Sequence, residues 1–284
     1  MTTLITGGAS QSGVALAKLL EASGHPVLFG SRSGRVPEGF DSVKFDFTDA
    51  STHEAPFAVK GHNIHYVYLL VPYFDPLVIA KPFIDLAATK GVKRFVLMSS
   101  HGKRSEKGPD SLQSGKVHTY LDQKGLDYVA LRPTWFLENI QRFYGEDIKK
   151  RNTFENTMPT GRVPLVAVAD IAKVAWYAIT DVGKLKSREP IIVGADLVSY
   201  SEIARALTKV LGRTITHTVI SKEELIRKYT SVGYPDEFAQ YLADVEEDEE
   251  NGAGEALVQD SRIYIGRIGA QEWLQEHMED FIPA

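Results

Sequence analysis

Cysteine is absent from the chain. That excludes disulfides, a thiolate nucleophile and cysteine-ligated zinc in one step, and it agrees with a reducing compartment. Long apolar runs are absent too: nowhere do the roughly 18 consecutive apolar residues of a membrane-spanning helix occur. An apolar run already begins at Leu4, which leaves no room for a secretory leader, so a cytoplasmic location is expected. A basic excess is missing as well. The net charge is −5 and the pI about 5.9, so no overall attraction to nucleic acid or to an anionic membrane is expected. There is no Gly-x-Ser-x-Gly nucleophile elbow and no His-Glu-x-x-His. His62 and His65 stand close together but complete no recognisable ligand set, so no metal is expected.

What is present is a core and an alternation. With 43% hydrophobic residues in 284, the chain can build one α/β core with a smaller appendage. Strands read at residues 3–6, 26–31, 43–46, 64–71, 93–99, 127–132 and 190–194, and helices at 12–23, 76–90, 111–124 and 169–180. Several strands are near-continuous apolar runs, such as Tyr66-Val67-Tyr68-Leu69-Leu70-Val71, and such runs belong to strands covered on both faces. The alternation predicts an α/β fold: a Rossmann-type doubly wound parallel sheet with helices on both faces.

The last third reads differently. Ser199–Glu202 and Ser221–Glu224 have the form of capping boxes, the first helix ending at Gly212 and the second stopped by Gly233 and Pro235. A strand reads between Arg213 and Ile220, further helices near 235–248 and 269–280, and a loop at 251–261. The acidic run Asp244–Glu250 reads as a solvated helix end or loop, with a docking tail for a basic partner as the alternative. The expected division is 1–198 for a dinucleotide-binding domain with cleft-lining loops at 134–165. Residues 199–284 then form a smaller, mostly helical lobe for substrate.

Chemistry concentrates at the start. The run Leu4-Ile5-Thr6 breaks into Gly7-Gly8-Ala9-Ser10-Gln11-Ser12-Gly13 and a helical pattern follows, as in the first βαβ unit of a Rossmann fold. Gly7 and Gly8 suit a tight turn, and Gly13 suits close packing of helix on strand. Ser10 stands where the motif usually has its middle glycine. Ser10, Gln11 and Ser12 bring hydroxyl and amide donors to a helix N-terminus, where phosphate is favoured. At the end of the second strand no Asp or Glu is present to hold a ribose 2′-hydroxyl; Ser31 and Arg32 stand there instead. An arginine fork fits two oxygens of a 2′-phosphate, so the expected cofactor is NADPH/NADP+.

Other candidates follow from the same topology. Asp46 and Phe47 close the third strand beside the expected adenine, with Asp46 as a turn cap the alternative. Leu70, Val71 and Pro72 end the fourth strand and Ser99, Ser100 and His101 the fifth, at the edge where ligands bind open α/β sheets. The helix after the fifth strand lacks the Tyr of Tyr-x-x-x-Lys, since Leu112 stands four residues before Lys116. Lys116 remains as a cation to orient the nicotinamide ribose or polarise a substrate atom. Pro133 ends the sixth strand and places Thr134, Trp135, Phe136 and Asn139 at its mouth. Pro133 and Thr134 are expected on the cofactor, while Trp135, Phe136 and Asn139, with Tyr73, Phe74 and His101, are expected to receive an aromatic or polycyclic small molecule.

These pieces, together with Arg94-Phe95-Val96-Leu97, Gly115-Lys116-Val117-His118, Leu131–Asn139, Gly161-Arg162-Val163-Pro164, Asp170–Ala175 and Val210–His217, resemble the NmrA-like branch of atypical short-chain dehydrogenases. Within it the sequence is most similar to the fungal festuclavine/agroclavine dehydrogenases of ergot-alkaloid biosynthesis. The resemblance covers about residues 1–245. It implies an NADPH-dependent oxidoreductase that passes hydride to an iminium or imine of a fungal secondary metabolite such as an indole alkaloid. Relatives of that branch reduce quinones or conjugated double bonds, and others only sense NADP(H) without catalysis. An isomerase or cyclase on the same fold also stays open. A monomer or homodimer is expected.

Overall fold

The computed structural model describes residues 1–72, 75–101 and 114–283. The chain begins with β1 (Thr2–Thr6), α1 (Gln11–Ala22), β2 (Val27–Ser31), β3 (Asp41–Lys44), α2 (Ala55–Ala58) and β4 (Ile64–Leu69). It continues with α3 (Pro76–Thr89), β5 (Arg94–Met98), α4 (Ser114–Gln123) and β6 (Tyr128–Pro133). A π-helical turn at Ile140–Tyr144 precedes α5 (Gly145–Arg151), β7 (Thr153–Asn156), β8 (Arg162–Val163), α6 (Val168–Thr180) and β9 (Ile191–Val193). Then come β10 (Val198–Ser199), α7 (Tyr200–Leu211), β11 (Thr216–Val219), α8 (Lys222–Ser231), α9 (Asp236–Glu250), α10 (Ala253–Leu257), β12 (Ile263–Ile265) and α11 (Ala270–Glu276).

Two units form, and the chain passes between them more than once. Met1–Pro133 and Val168–Ile192 make the first, Thr134–Ala167 and Val193–Ala284 the second. The sequence placed a single boundary at 198. The interleaving has a local cause: α6 buries Ile171, Ala172, Val174, Ala175, Ala178 and Ile179, and this apolar side packs on α1 in the first unit.

In the first unit the strands lie in the order β9-β6-β5-β4-β1-β2-β3, parallel at every pairing. Alternate residues serve opposite faces. Leu4, Leu28, Val67, Leu69, Phe95 and Leu97 share a core with Phe83 and Ile84 of α3 and with Val117 and Leu121 of α4. Their neighbours Ile5, Phe29, Tyr68 and Val96 are fully buried as well. On this other face α1 packs on α6, and Trp176 Nε1 donates to Ser23 Oγ at 2.9 Å. The chain leaves β1 toward β2 and β3, then returns to β4 on the opposite side. That reversal is a topological switch point, where open α/β sheets bind ligands.

The edge strand differs from its expected position. β3 covers Asp41–Lys44 rather than 43–46, and its residues are mostly exposed. Phe45, which the expected strand included, and Phe47 beyond it instead follow β3. Their rings lie 4.7 and 5.9 Å from Phe83, edge to face.

The second unit centres on Leu137, Tyr144, Phe154, Tyr200, Leu207, Trp273 and Phe281. Both expected capping boxes close: Ser199 with Glu202 at α7, and Ser221 with Glu224 at α8. Part of the segment expected as a loop at 251–261 is helical, as α10. Gly254 lets it approach, because a Cβ there would lie 2.3 Å from the Arg162 carbonyl oxygen.

The acidic run ends α9 and is solvated only in part: Asp244, Glu247 and Asp248 are exposed. Glu246 and Glu249 are 2% and 1% exposed. Glu246 Oε2 accepts from the Thr157 amide (3.1 Å) and hydroxyl (2.8 Å), and its Oε1 from Tyr229 OH (3.1 Å). Glu250 accepts from the Gly161 amide at 2.6 Å and from the Thr160 hydroxyl at 2.7 Å. Glu246 and Glu250 therefore clamp the 157–161 loop onto α9. Burial pushes the Glu246 carboxyl above the usual value of 4.5, against the opposing pull of the Thr157 and Tyr229 bonds. A raised pKa means that the folded state holds the proton more tightly. The stability this contributes is present at acid pH and is lost as pH rises through the raised value. Glu246→Gln lacks that loss. Its stability relative to the native chain should therefore improve, on the order of 1 kcal/mol, as pH rises from the ordinary glutamate range to neutrality. Denaturant unfolding of both proteins at the two pH values checks this; a difference that does not change with pH contradicts it.

Candidate functional site

The site is built where β1 turns into α1. Gly7 and Gly8 have φ of 88° and 53°, in the left-handed region that favours glycine. Space is tight around both. A Cβ on Gly7 would lie 2.7 Å from Leu70 Cδ2, and one on Gly8 3.0 Å from Ser31 Oγ and from the Arg35 carbonyl oxygen. Ser10 is the N-cap of α1, its Oγ accepting from the Gly13 amide at 3.3 Å. Ser10 thus spends an acceptor on the helix itself. Gly13 is needed at the crossing, since a Cβ there would meet Ser10 Oγ at 2.6 Å and Ile5 Cγ2 at 2.9 Å. Gln11 is exposed, whereas Ser12 is buried and accepts from Tyr68 OH at 2.9 Å. The bond from Tyr68 uses the Ser12 oxygen as an acceptor and leaves its own O–H to donate.

On the β2 side, Ser31 is buried and donates from Oγ to the Arg35 carbonyl. Arg32 follows it and is exposed. Asp46 Oδ1 accepts from the Thr48 amide (2.9 Å) and hydroxyl (2.8 Å), closing a turn. The Thr48 amide holds the Asp46 carboxyl below its usual range; burial opposes it, and the Thr48 hydroxyl and the nearby charges of Arg32 and Lys44 add to the lowering. The turn-cap role of Asp46 is thus present in the structure, and Phe47 turns its ring into the core.

On the other side of β1, Thr6 Oγ1 accepts from the Leu70 amide at 2.9 Å, which ties the ends of β1 and β4 together. Leu70 and Val71 are half-buried and Pro72 is exposed. Ser99 donates its amide to the Leu131 carbonyl, and its Oγ lies 3.2 Å from Ser114 Oγ. This contact joins the end of β5 to the first turn of α4, which carries the half-buried Lys116. Ser100 is exposed; His101 donates its amide to the Pro133 carbonyl at 3.1 Å.

The remaining candidates lie in the second unit. Thr134 is buried, its hydroxyl donating to the Pro164 carbonyl at 2.5 Å. The Trp135 carbonyl accepts from Val166, and the ring packs on the unit's core. Phe136 forms a bridge with Val166, and Asn139 immediately precedes the π-helical turn, its side chain making no capping bond there. Tyr73 and Phe74 lie outside the described residues. Among the described residues no group of three or more His, Cys, Asp or Glu side chains could hold a metal. No helix among them is long and apolar enough to cross a membrane.

Two residues escaped sequence reasoning. Tyr68 read only as one more apolar strand position, yet it carries Ser12. Arg132 read as part of a motif, yet it is a buried cation on β6. An arginine inside an otherwise apolar strand was the available signal.

A parallel sheet with its switch point at β1, a left-handed glycine turn and a capped helix N-terminus defines a Rossmann-type α/β protein. The NmrA-like family model matches residues 2–258, and the chain belongs to that family. It is 39% identical over 272 residues to festuclavine synthase I of Penicillium roqueforti, covering 90% of this chain and 91% of that protein. With agroclavine dehydrogenase of Claviceps fusiformis it shares 34% over 291 residues, covering 99% and 96%. Among solved structures, the leucoanthocyanidin reductase–NADPH complex of Vitis vinifera superposes with a TM-score of 0.75 at 15% identity, covering 98% of this chain and all of that one. The NADPH complex of a quinone oxidoreductase from Escherichia coli gives 0.71 at 20%, covering 98% and 99%. At those identities the two structures speak to the fold alone.

The packing around the turn sets two expectations. Gly13→Ala should displace the Ser10 cap and cost about 2 kcal/mol. Tyr68→Phe should cost about 1 kcal/mol, because Ser12 then loses its buried donor. Urea unfolding of each variant measures both; native-like midpoints contradict the packing described.

Proposed function

We propose that this chain is an NADPH-dependent reductase that delivers hydride to an iminium or conjugated imine of a small polycyclic molecule of the indole-alkaloid type. The observation that carries the cofactor reading is the corner after β2: an exposed arginine follows the strand, and no carboxylate stands where a 2′-hydroxyl would need one. The turn fits the same group. Gly7 and Gly8 put no side chain over the α1 N-terminus, whose unpaired amides and positive dipole end favour a pyrophosphate. When bound, the reduced nicotinamide supplies the hydride.

The rest is positioning by the chain. Arg32 binds the 2′-phosphate as a fork. Lys116, in the first turn of α4, orients the nicotinamide ribose. No acid is required to activate an iminium carbon, which is already electrophilic, so a site without the tyrosine of Tyr-x-x-x-Lys can still work. Holding donor and acceptor carbons in register lowers the barrier by several kcal/mol. The family's named festuclavine synthases and agroclavine dehydrogenases support this substrate class. With a quinone or enone instead, Lys116 would polarise the oxygen.

Turnover assays with NADPH and a panel of cyclic imines, enones and quinones test the proposal. NADPH oxidation with imines is expected, and Lys116→Ala should lower it only modestly, about tenfold or less. Near-complete loss with cofactor binding kept contradicts iminium reduction in favour of an oxygen electrophile. Tight NADPH binding without turnover on any of the panel contradicts the enzyme reading. Separately, Arg32→Ala should weaken NADPH binding by about tenfold or more and leave NADH within about twofold, by calorimetric titration.

A further inference from the structure

A second set of polar groups occupies the far side of the same sheet edge. Arg132, on β6, is 6% exposed. Its Nη2 donates to the His101 carbonyl at 2.9 Å, and its Nε reaches the Ser100 carbonyl at 3.4 Å. Its Nη1 faces Glu189 Oε2 at 3.8 Å. The other Glu189 oxygen lies 3.2 Å from Nε2 of His118, a buried residue of α4 two positions after Lys116. Burying a guanidinium is costly, and an apolar side chain of similar volume would fill the space without that cost. What such a side chain could not do is hold two successive carbonyls and a carboxylate at once.

We infer that Arg132, Glu189 and His118 form a positioning network for the nicotinamide half of the dinucleotide site, fixing the end of β5 against the helix that carries Lys116. The inference rests on the cofactor reading above. Sheet order sets the location. Arg32 follows β2, next to β1 on one side; Ser99–His101 follow β5, two strands away on the other. With the pyrophosphate at the glycine turn, the adenosine half runs toward β2 and the nicotinamide half toward β5. The network therefore bears on one half of the ligand only, which a role in general stability would not do.

Titration of the native chain and Arg132→Lys with NADPH and with adenosine 2′,5′-bisphosphate, which lacks the nicotinamide half, separates the two. Arg132→Lys keeps the charge and loses the fork. It should bind NADPH about tenfold more weakly and the bisphosphate within about twofold of native. Glu189→Gln, which keeps the shape and loses the charge, should show the same selective loss at about threefold and serves if Arg132→Lys does not fold. Unchanged NADPH binding, or equal loss of both ligands, overturns the network while leaving the cofactor reading intact. A native chain that binds neither ligand overturns the cofactor reading and this inference with it.

Discussion

The first crossover depends on there being no side chain at residue 7. The backbone there is left-handed, and the space a Cβ would fill is already held by Leu70, at the end of the neighbouring strand. The turn can therefore lie flat across the tops of β1 and β4. Thr6 fixes it from one strand by bonding Leu70, and Tyr68 fixes it from below by bonding Ser12 in the first turn of α1. The helix N-terminus that results has its amides aimed at one place, and Ser10 satisfies one of them without covering the rest.

Function then follows from what flanks that point. On one side stands an exposed cation after a buried strand end, beside a carboxylate that is occupied in its own turn. On the other, hydroxyls of Ser99 and Ser114 and the Arg132–Glu189–His118 charges link β5 and β6 to the helix that carries Lys116. The chemistry asked of such an edge is light. On the proposed function, it holds a dinucleotide extended and keeps one carbon of it in register. The missing tyrosine is consistent with an acceptor that needs no proton to become reactive.

Much of this was legible in the residues. Parallel strands buried on both faces announce themselves as apolar runs, and β1, β2, β4, β5 and β6 lie close to where those runs put them. Capping boxes carry their own signal, since Ser and Glu must stand at fixed spacing to bond each other. Other features were hidden for physical reasons. An edge strand such as β3 has no buried face to mark it, and the phenylalanines beyond it belong to the core instead. The charges of Asp244–Glu250 suggested solvent, because composition cannot show that loop amides at 157–161 wait to be capped. The bond from Tyr68 to Ser12 was hidden because the two residues are distant in sequence. The interleaving of the two units was hidden for the same reason: α6 joins α1 through contacts that no local pattern reports.

The central claim is that the corner beyond β2 recognises a phosphate on the adenosine ribose. A crystal structure of the chain with NADP+ tests it most directly. The account predicts the pyrophosphate against the Ser10–Gly13 amides and the 2′-phosphate within hydrogen-bond reach of the Arg32 guanidinium. A complex in which that guanidinium points to solvent, with the dinucleotide elsewhere or the corner filled by an unrelated molecule, would contradict it.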